Sequence, residues 1–260
     1  MLLDLANVFI QVHDTPASMS LSQRLRLRGD ASTSYIVVEL LKTLKESYDY
    51  KTLSKLTGIP VSTMTRYVNG RTLPRGRKTV ELVSKLTSLV DVEKIVKERI
   101  KNGPDGVDIT PAISEGYILK LITAHFVKNL MATQVSRILA VDEPGIALAT
   151  SLGLTLDKKV YFMSERPLWP EDLAINIKYY IRESGERRGV WLPKEAIKSR
   201  KSILLAAGIV SHPALFRELH RRISELGGHL TGLCAIVSTQ QALQELKPNQ
   251  VGERYVLVTV

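Results

Sequence analysis

From residue 112 onward, short apolar runs alternate with segments of helical period, and this alternation limits the fold more than any other feature of the chain. SEGYILKLITAHFVKNLM has helical spacing, SRILAV reads as a strand, GIALATSLGLTL as a helix and KKVYFM as a strand. KSILLAA, HLTGLCAIVS and RYVLVTV are further strands, with HPALFRELHRRISELGG a helix closed by glycine between the first two. Such alternation predicts an α/β domain with a mostly parallel sheet and crossover helices. One interruption, NIKYYIRES followed by GERRGVWLP, predicts a β-hairpin with a polar turn at Ser184 to Glu186.

Before that region the period is helical, giving an all-α N-terminal unit. TSYIVVELLKTLKES sets Ile36, Val37, Leu40, Leu41 and Leu44 at helical spacing. A single long helix is predicted through RKTVELVSKLTSLVDVEKIVKERIKNG. NGPDGVDITP, residues 102–111, concentrates Gly, Pro, Asn and Asp and marks the boundary between a domain of residues 1–101 and one of residues 112–260. Near the start, SLSQRLRLRGD alternates Leu and Arg from Arg24 to Arg28 and reads as a strand or an arm.

Charge singles out one stretch of the helical unit. The net charge is +10, and between Tyr50 and Val80 stand Lys51, Lys55, Arg66, Arg71, Arg75, Arg77 and Lys78 with no Asp or Glu. A solvated helical face would interleave acids, so this cluster points to a polyanion. In YKTLSKLTGIPVSTMTRYVNGRTLPR, Leu53 and Leu56 face inward on a short helix that ends at Gly58, Ile59 packs back, and Pro60 suits entry into a second helix. Val61, Met64 and Val68 then face the core, leaving Ser62, Thr63, Thr65 and Arg66 for base edges and Arg71, Arg75, Arg77 and Lys78 for phosphates. The stretch resembles the helix-turn-helix of the Cro and phage-repressor class, which implies double-stranded DNA as partner. The other reading of the pattern is a helical hairpin for protein contacts.

The remaining composition narrows the setting. Cys234 is the one cysteine, in the apolar run LCAIV, and reads as a buried inert thiol. MLLDLANVFIQVHD carries Asp4 and no basic region, and no stretch approaches the ~20 apolar residues of a membrane span, so a cytoplasmic protein without a membrane partner is expected. His13, His125, His212, His220 and His229 show no metal-ligand spacing. His212 opens the helix of HPALFRELHRR, where it either contacts a phosphate or base or caps the helix. Asp142 and Glu143 read as a solvated loop more readily than as an acid/base pair, because adjacent carboxylates point apart.

Two stretches, SRILAVDEPGIALATSLGLTLDKKVYFM and KSILLAAGIVSHPALFRELHRRISELGGHLTGLCAIVS, resemble the two ligand loops of type I phosphoribosyltransferases. With the hairpin between them and a helical head before them, the order is similar to the purine-operon repressors of bacteria and related archaeal regulators. The resemblance implies a ligand cleft made by Asp142, Glu143, Pro144 and Gly145 in the pyrophosphate loop. Ala207 and Gly208 would stand where paired acids serve the ribose and metal, and Ser211, His212, Pro213 and Ala214 where a Thr-Thr-Gly-Gly loop cradles the 5′-phosphate. Pro213 removes a donor, Ser164 stands where relatives often carry a basic residue with Arg166 two residues on, and Asp142 and Glu143 oppose a second anion. The expectation is therefore a DNA-binding transcription regulator, a homodimer, that is not an enzyme, needs no cofactor or metal, and senses a nucleotide-like effector such as a nucleoside monophosphate. The alternative is an active purine or pyrimidine phosphoribosyltransferase with an appended helical domain.

Overall fold

The computed structural model describes residues 21–103, 106–130, 133–181, 184–198 and 201–260; for residues 21–32, Arg77, Asn102 and Pro248 it describes the backbone alone. Asp4 and His13 lie outside the described residues. The chain begins with α1 (Leu21–Lys45), α2 (Tyr50–Thr57), α3 (Val61–Val68), α4 (Arg77–Thr87) and α5 (Val92–Lys97). An antiparallel hairpin, β1 (Lys101–Gly103) and β2 (Gly106–Asp108), and the short α6 (Thr110–Ile113) occupy the stretch expected between two domains. Then follow α7 (Gly116–Leu130), β3 (Arg137–Ala140), α8 (Glu143–Leu156), β4 (Lys159–Phe162), the hairpin strands β5 (Ala174–Ile181) and β6 (Glu186–Pro193), and α9 (Lys194–Ile197). The chain closes with β7 (Ser202–Val210), α10 (Pro213–Glu225), β8 (His229–Ser238), α11 (Gln240–Glu245), α12 (Pro248–Val251) and β9 (Glu253–Thr259).

The α/β class is as the alternation implies: a five-stranded parallel sheet in the order β4-β3-β7-β8-β9. Its strands are apolar on both faces because both are covered. Ile138, Leu204, Ala206, Cys234 and Ile236 meet the helical layer of α1, α7 and α8, while Leu139, Leu205, Ala207, Leu233 and Ala235 meet α10 and the β5–β6 hairpin. Cys234 is fully buried, and burial pushes its thiol pKa up, as expected of an inert thiol. The first cluster runs without a break from Ile36 through Leu53, Met64 and Leu86 to Val258, so the N-terminal helices share one apolar core with the sheet.

Three local expectations need correction. The predicted long helix breaks after Thr87, because Asp91 caps a new helix by accepting from Lys94 N at 3.0 Å. Leu56 and Val61, expected in the core, are each 39% exposed; short helices of eight residues bury only Leu53 and Thr57 on α2 and Met64 on α3. The Leu/Arg alternation of residues 24–28 is part of α1, not a strand or arm.

Candidate functional site

The sheet order reverses between β3 and β7: from β3 the chain moves outward to β4, and from β7 the other way to β8 and β9. The helices that leave these two neighbours, α8 and α10, pack on opposite faces, so a crevice opens at their carboxyl ends. It is a cavity of about 730 Å³. Asp142, Glu143 and Pro144 line one side, Ser211 and His212 the other, with Phe162, Ser164, Glu165 and Arg166 from the end of β4 and Tyr179 and Arg188 from the hairpin.

Asp142 has a different task from the one its charge suggested. Its Oδ1 accepts from Gly145 N at 2.9 Å and Gly208 N at 2.8 Å, and its Oδ2 from Ile209 N at 2.8 Å. It caps α8 and ties the first ligand loop to the end of β7. The carboxylate is engaged by backbone N–H groups, and the exposed Glu143 and Glu165 are the other acids of the lining that oppose a second anion. Burial raises the Asp142 carboxyl above its ordinary pKa, while the three N–H donors pull it down.

Gly145, Ala207 and Gly208 form the wall behind the crevice and do not line it. A Cβ at Gly208 would stand 3.0 Å from Ile109 Cδ1 and 3.1 Å from Gly145 N, with Pro144 nearer still. A Cβ at Gly145 would meet Ala206 O at 2.6 Å. The two loops interlock where the resemblance places an acid pair. These residues do not fit a ribose and metal held from β7, and among the described residues no group of three or more His, Cys, Asp or Glu is arranged to hold a metal ion.

His212 is the cap residue of α10 and makes no side-chain cap bond. Its ring lies 6.2 Å from that of Tyr179, tilted by 38°. Pro213 and Ala214 start α10 and border a much smaller pocket beside the cleft. The residues missed at the sequence level, Tyr179 and Arg188, stand directly opposite each other in the hairpin register. The alternation of NIKYYI and GERRGV already gives them the parity of the inward Ile177 and Val190, which is the signal that marks them. Burial raises the Tyr179 phenol, with Arg188 opposing the shift. The crevice thus offers Arg166, Arg188 paired with Glu186 at 2.9 Å, a helix N-terminus, aromatic rings and an apolar floor of Ile146, Leu215 and Phe216, with Glu143 and Glu165 as its acids, a surface for a phosphate joined to a flat ring.

A second surface lies on the helical unit. Gly58, in the left-handed region at φ 74°, turns the chain between α2 and α3, and Lys85 Nζ donates to Thr57 O at 3.0 Å across the turn. Ser62 and Arg66 are exposed and Thr63 and Thr65 partly so; Arg66 donates to Thr63 Oγ1 at 3.4 Å, and the Thr65 hydroxyl donates to Val61 O. Arg71, Arg75 and Lys78 are exposed alongside, while the Arg77 side chain lies outside the described residues. Ser34 Oγ donates to Pro74 O at 2.6 Å and pins this loop to α1.

No family model matches the chain. A curated adenine phosphoribosyltransferase of Methylacidiphilum infernorum is 26% identical over 162 residues, 59% of this chain and 89% of that protein. Among solved structures, adenine phosphoribosyltransferase from Rhodothermus marinus matches with a TM-score of 0.58 at 15% identity, covering 65% of this chain and 98% of that one. The enzyme from Thermoanaerobacter pseudethanolicus matches with 0.57 at 14% identity, covering 65% and 99%. The C-terminal part therefore has the type I phosphoribosyltransferase fold. The expectation of a chain that is not an enzyme is overturned by these findings, since the relative and the neighbours are enzymes. That expectation rested on the missing acids at Ala207 and Gly208, on Pro213, and on the altered pyrophosphate side at Asp142, Glu143 and Ser164. Among the described residues no helix is long and apolar enough to cross a membrane.

Proposed function

We propose that the C-terminal domain is a phosphoribosyltransferase-type unit whose cleft takes an adenine nucleotide or its phosphoribosyl precursor, and that the helical head binds double-stranded DNA. The chain is then a nucleotide-responsive DNA-binding regulator that acts as a homodimer. The observation that supports the ligand class is the pairing of Arg166 and Arg188 with the N-terminus of α10 around an aromatic and apolar floor. The cations and the helix dipole suit a phosphate, and Phe162, Tyr179 and Phe216 suit a purine. For the head, the supporting feature is the acid-free basic surface around α3. An effector must bind the DNA-competent and DNA-free forms with different affinity, because equal affinity shifts nothing.

Gel shifts with and without AMP or phosphoribosyl pyrophosphate test the coupling: a changed apparent affinity for DNA supports it, and an unchanged one removes it. The activity we propose for this cleft is adenine phosphoribosyl transfer, which the curated relative favours. Incubation with adenine, phosphoribosyl pyrophosphate and Mg²⁺ decides it. AMP formation that Arg188→Gln abolishes supports transfer in this cleft; no AMP above background leaves the binding role.

A further inference from the structure

The outer face of the β5–β6 hairpin carries a set of side chains that the cleft does not use. Cross-strand register places Asn176 opposite Trp191, Lys178 opposite Gly189, and Tyr180 opposite Arg187. Strand alternation puts these six residues on one face, away from Ile175, Ile177 and Ile181, which are buried. They line a groove of about 760 Å³ together with Glu218 and with Tyr179 and Arg188, which also line the cleft. An aromatic ring stands at each end, with Tyr180 50% exposed. Gly189 lies between them, and the Asn176 amide stands 3.4 Å from where its Cβ would be.

Among the described residues Lys178 and Arg187 form no ion pair, whereas Glu218 is already held by Arg221 at 2.9 Å and Arg188 by Glu186 at 2.9 Å. Asn176 Oδ1 is buried and has no hydrogen-bond partner.

We infer that this hairpin face binds single-stranded nucleic acid, with bases stacked on Trp191 and Tyr180 and phosphates on Lys178 and Arg187. The groove is open at the surface and flanked by two separate aromatic platforms, a geometry for an extended strand. Unpaired cations beside aromatic rings are the combination that holds single strands without a base code. The inference goes beyond the ligand of the cleft and the DNA-binding head, and does not depend on either.

Fluorescence anisotropy of the full chain with labelled oligodeoxycytidylate of about 12 nucleotides tests it. Tyr180→Ala, at a half-exposed position, should weaken binding about tenfold. Lys178→Gln with Arg187→Gln should lower the slope of log affinity against log salt by about 1.4. Oligothymidylate of the same length should bind within a few-fold of oligodeoxycytidylate, because stacking and cation contacts carry no base code. Lys94→Gln, an exposed cation on α5 outside both surfaces, should leave single-strand binding unchanged. The inference is overturned if the oligonucleotides do not bind, if binding ignores the three hairpin changes while circular dichroism shows them folded, or if Lys94→Gln removes it.

Discussion

Asp142 sets the shape of the cleft through three backbone N–H groups on two loops, so its removal should cost more than a surface carboxylate does. Asp142→Ala leaves those donors without an acceptor and should destabilise the chain by about 2 to 4 kcal/mol in urea unfolding. Its titration has a definite sign. Burial raises the native pKa above 3.8, so as pH rises the unfolded chain loses this proton first. The stability the group contributes is complete below pH 3.8, falls through the raised native pKa and is level above it, and Asp142→Asn should abolish that fall. Gly208→Asp returns an acid to the position where the resemblance expects one. It should lower stability by about 1 to 3 kcal/mol, because its side chain has to enter the space of Pro144, Ile109 and Gly145 N. None of this interlock was legible in the sequence. Asp142 and Gly208 are 66 residues apart, and an Asp-Glu-Pro loop reads equally well as solvated charge.

At the scale of elements, the helices and strands that local chemistry specifies were the legible ones. Gly58, Pro60 and the Met64 spacing define α2, the turn and α3, and the apolar runs define β3, β7 and β8. Gly58→Ala, at φ 74°, should cost about 1 kcal/mol and loosen the turn, which thermal unfolding measures. On DNA, Arg66→Ala should reduce sequence-specific affinity by about 1 to 3 kcal/mol, while Arg75→Ala and Lys78→Ala should each lower the salt slope by about 1. Binding unchanged in all three would remove this surface from the account. The break between α4 and α5 was not legible, since SLVDVEK continues the apolar period and only the Asp91 cap interrupts it. The hairpin shows the same limit: its strands follow from alternation, but that Tyr179 and Arg188 reach the cleft depends on how the hairpin docks against α10.

For the whole molecule, the sequence carried the α/β class and the order of its parts, because buried strands and crossover helices leave separate periodic traces. How the head meets the body left no such trace. Ile36, Leu40 and Leu86 have the same spacing whether they close a free domain or, as here, share a core with α7, α8 and the sheet. The shared core gives the account its physical link between cleft and head, since α8 starts at the ligand loop and packs against α1. The central claim is that the crevice between β3 and β7 holds an adenine nucleotide through its cations and its helix N-terminus. Isothermal titration of AMP into the full chain and into Arg188→Gln tests it most directly. The account expects saturable heat with a Kd of the order of micromolar, weakened about tenfold or more in Arg188→Gln, the loss of about 1.4 kcal/mol or more expected for one charge-assisted contact. No heat with AMP, or the same Kd in both proteins, would contradict it.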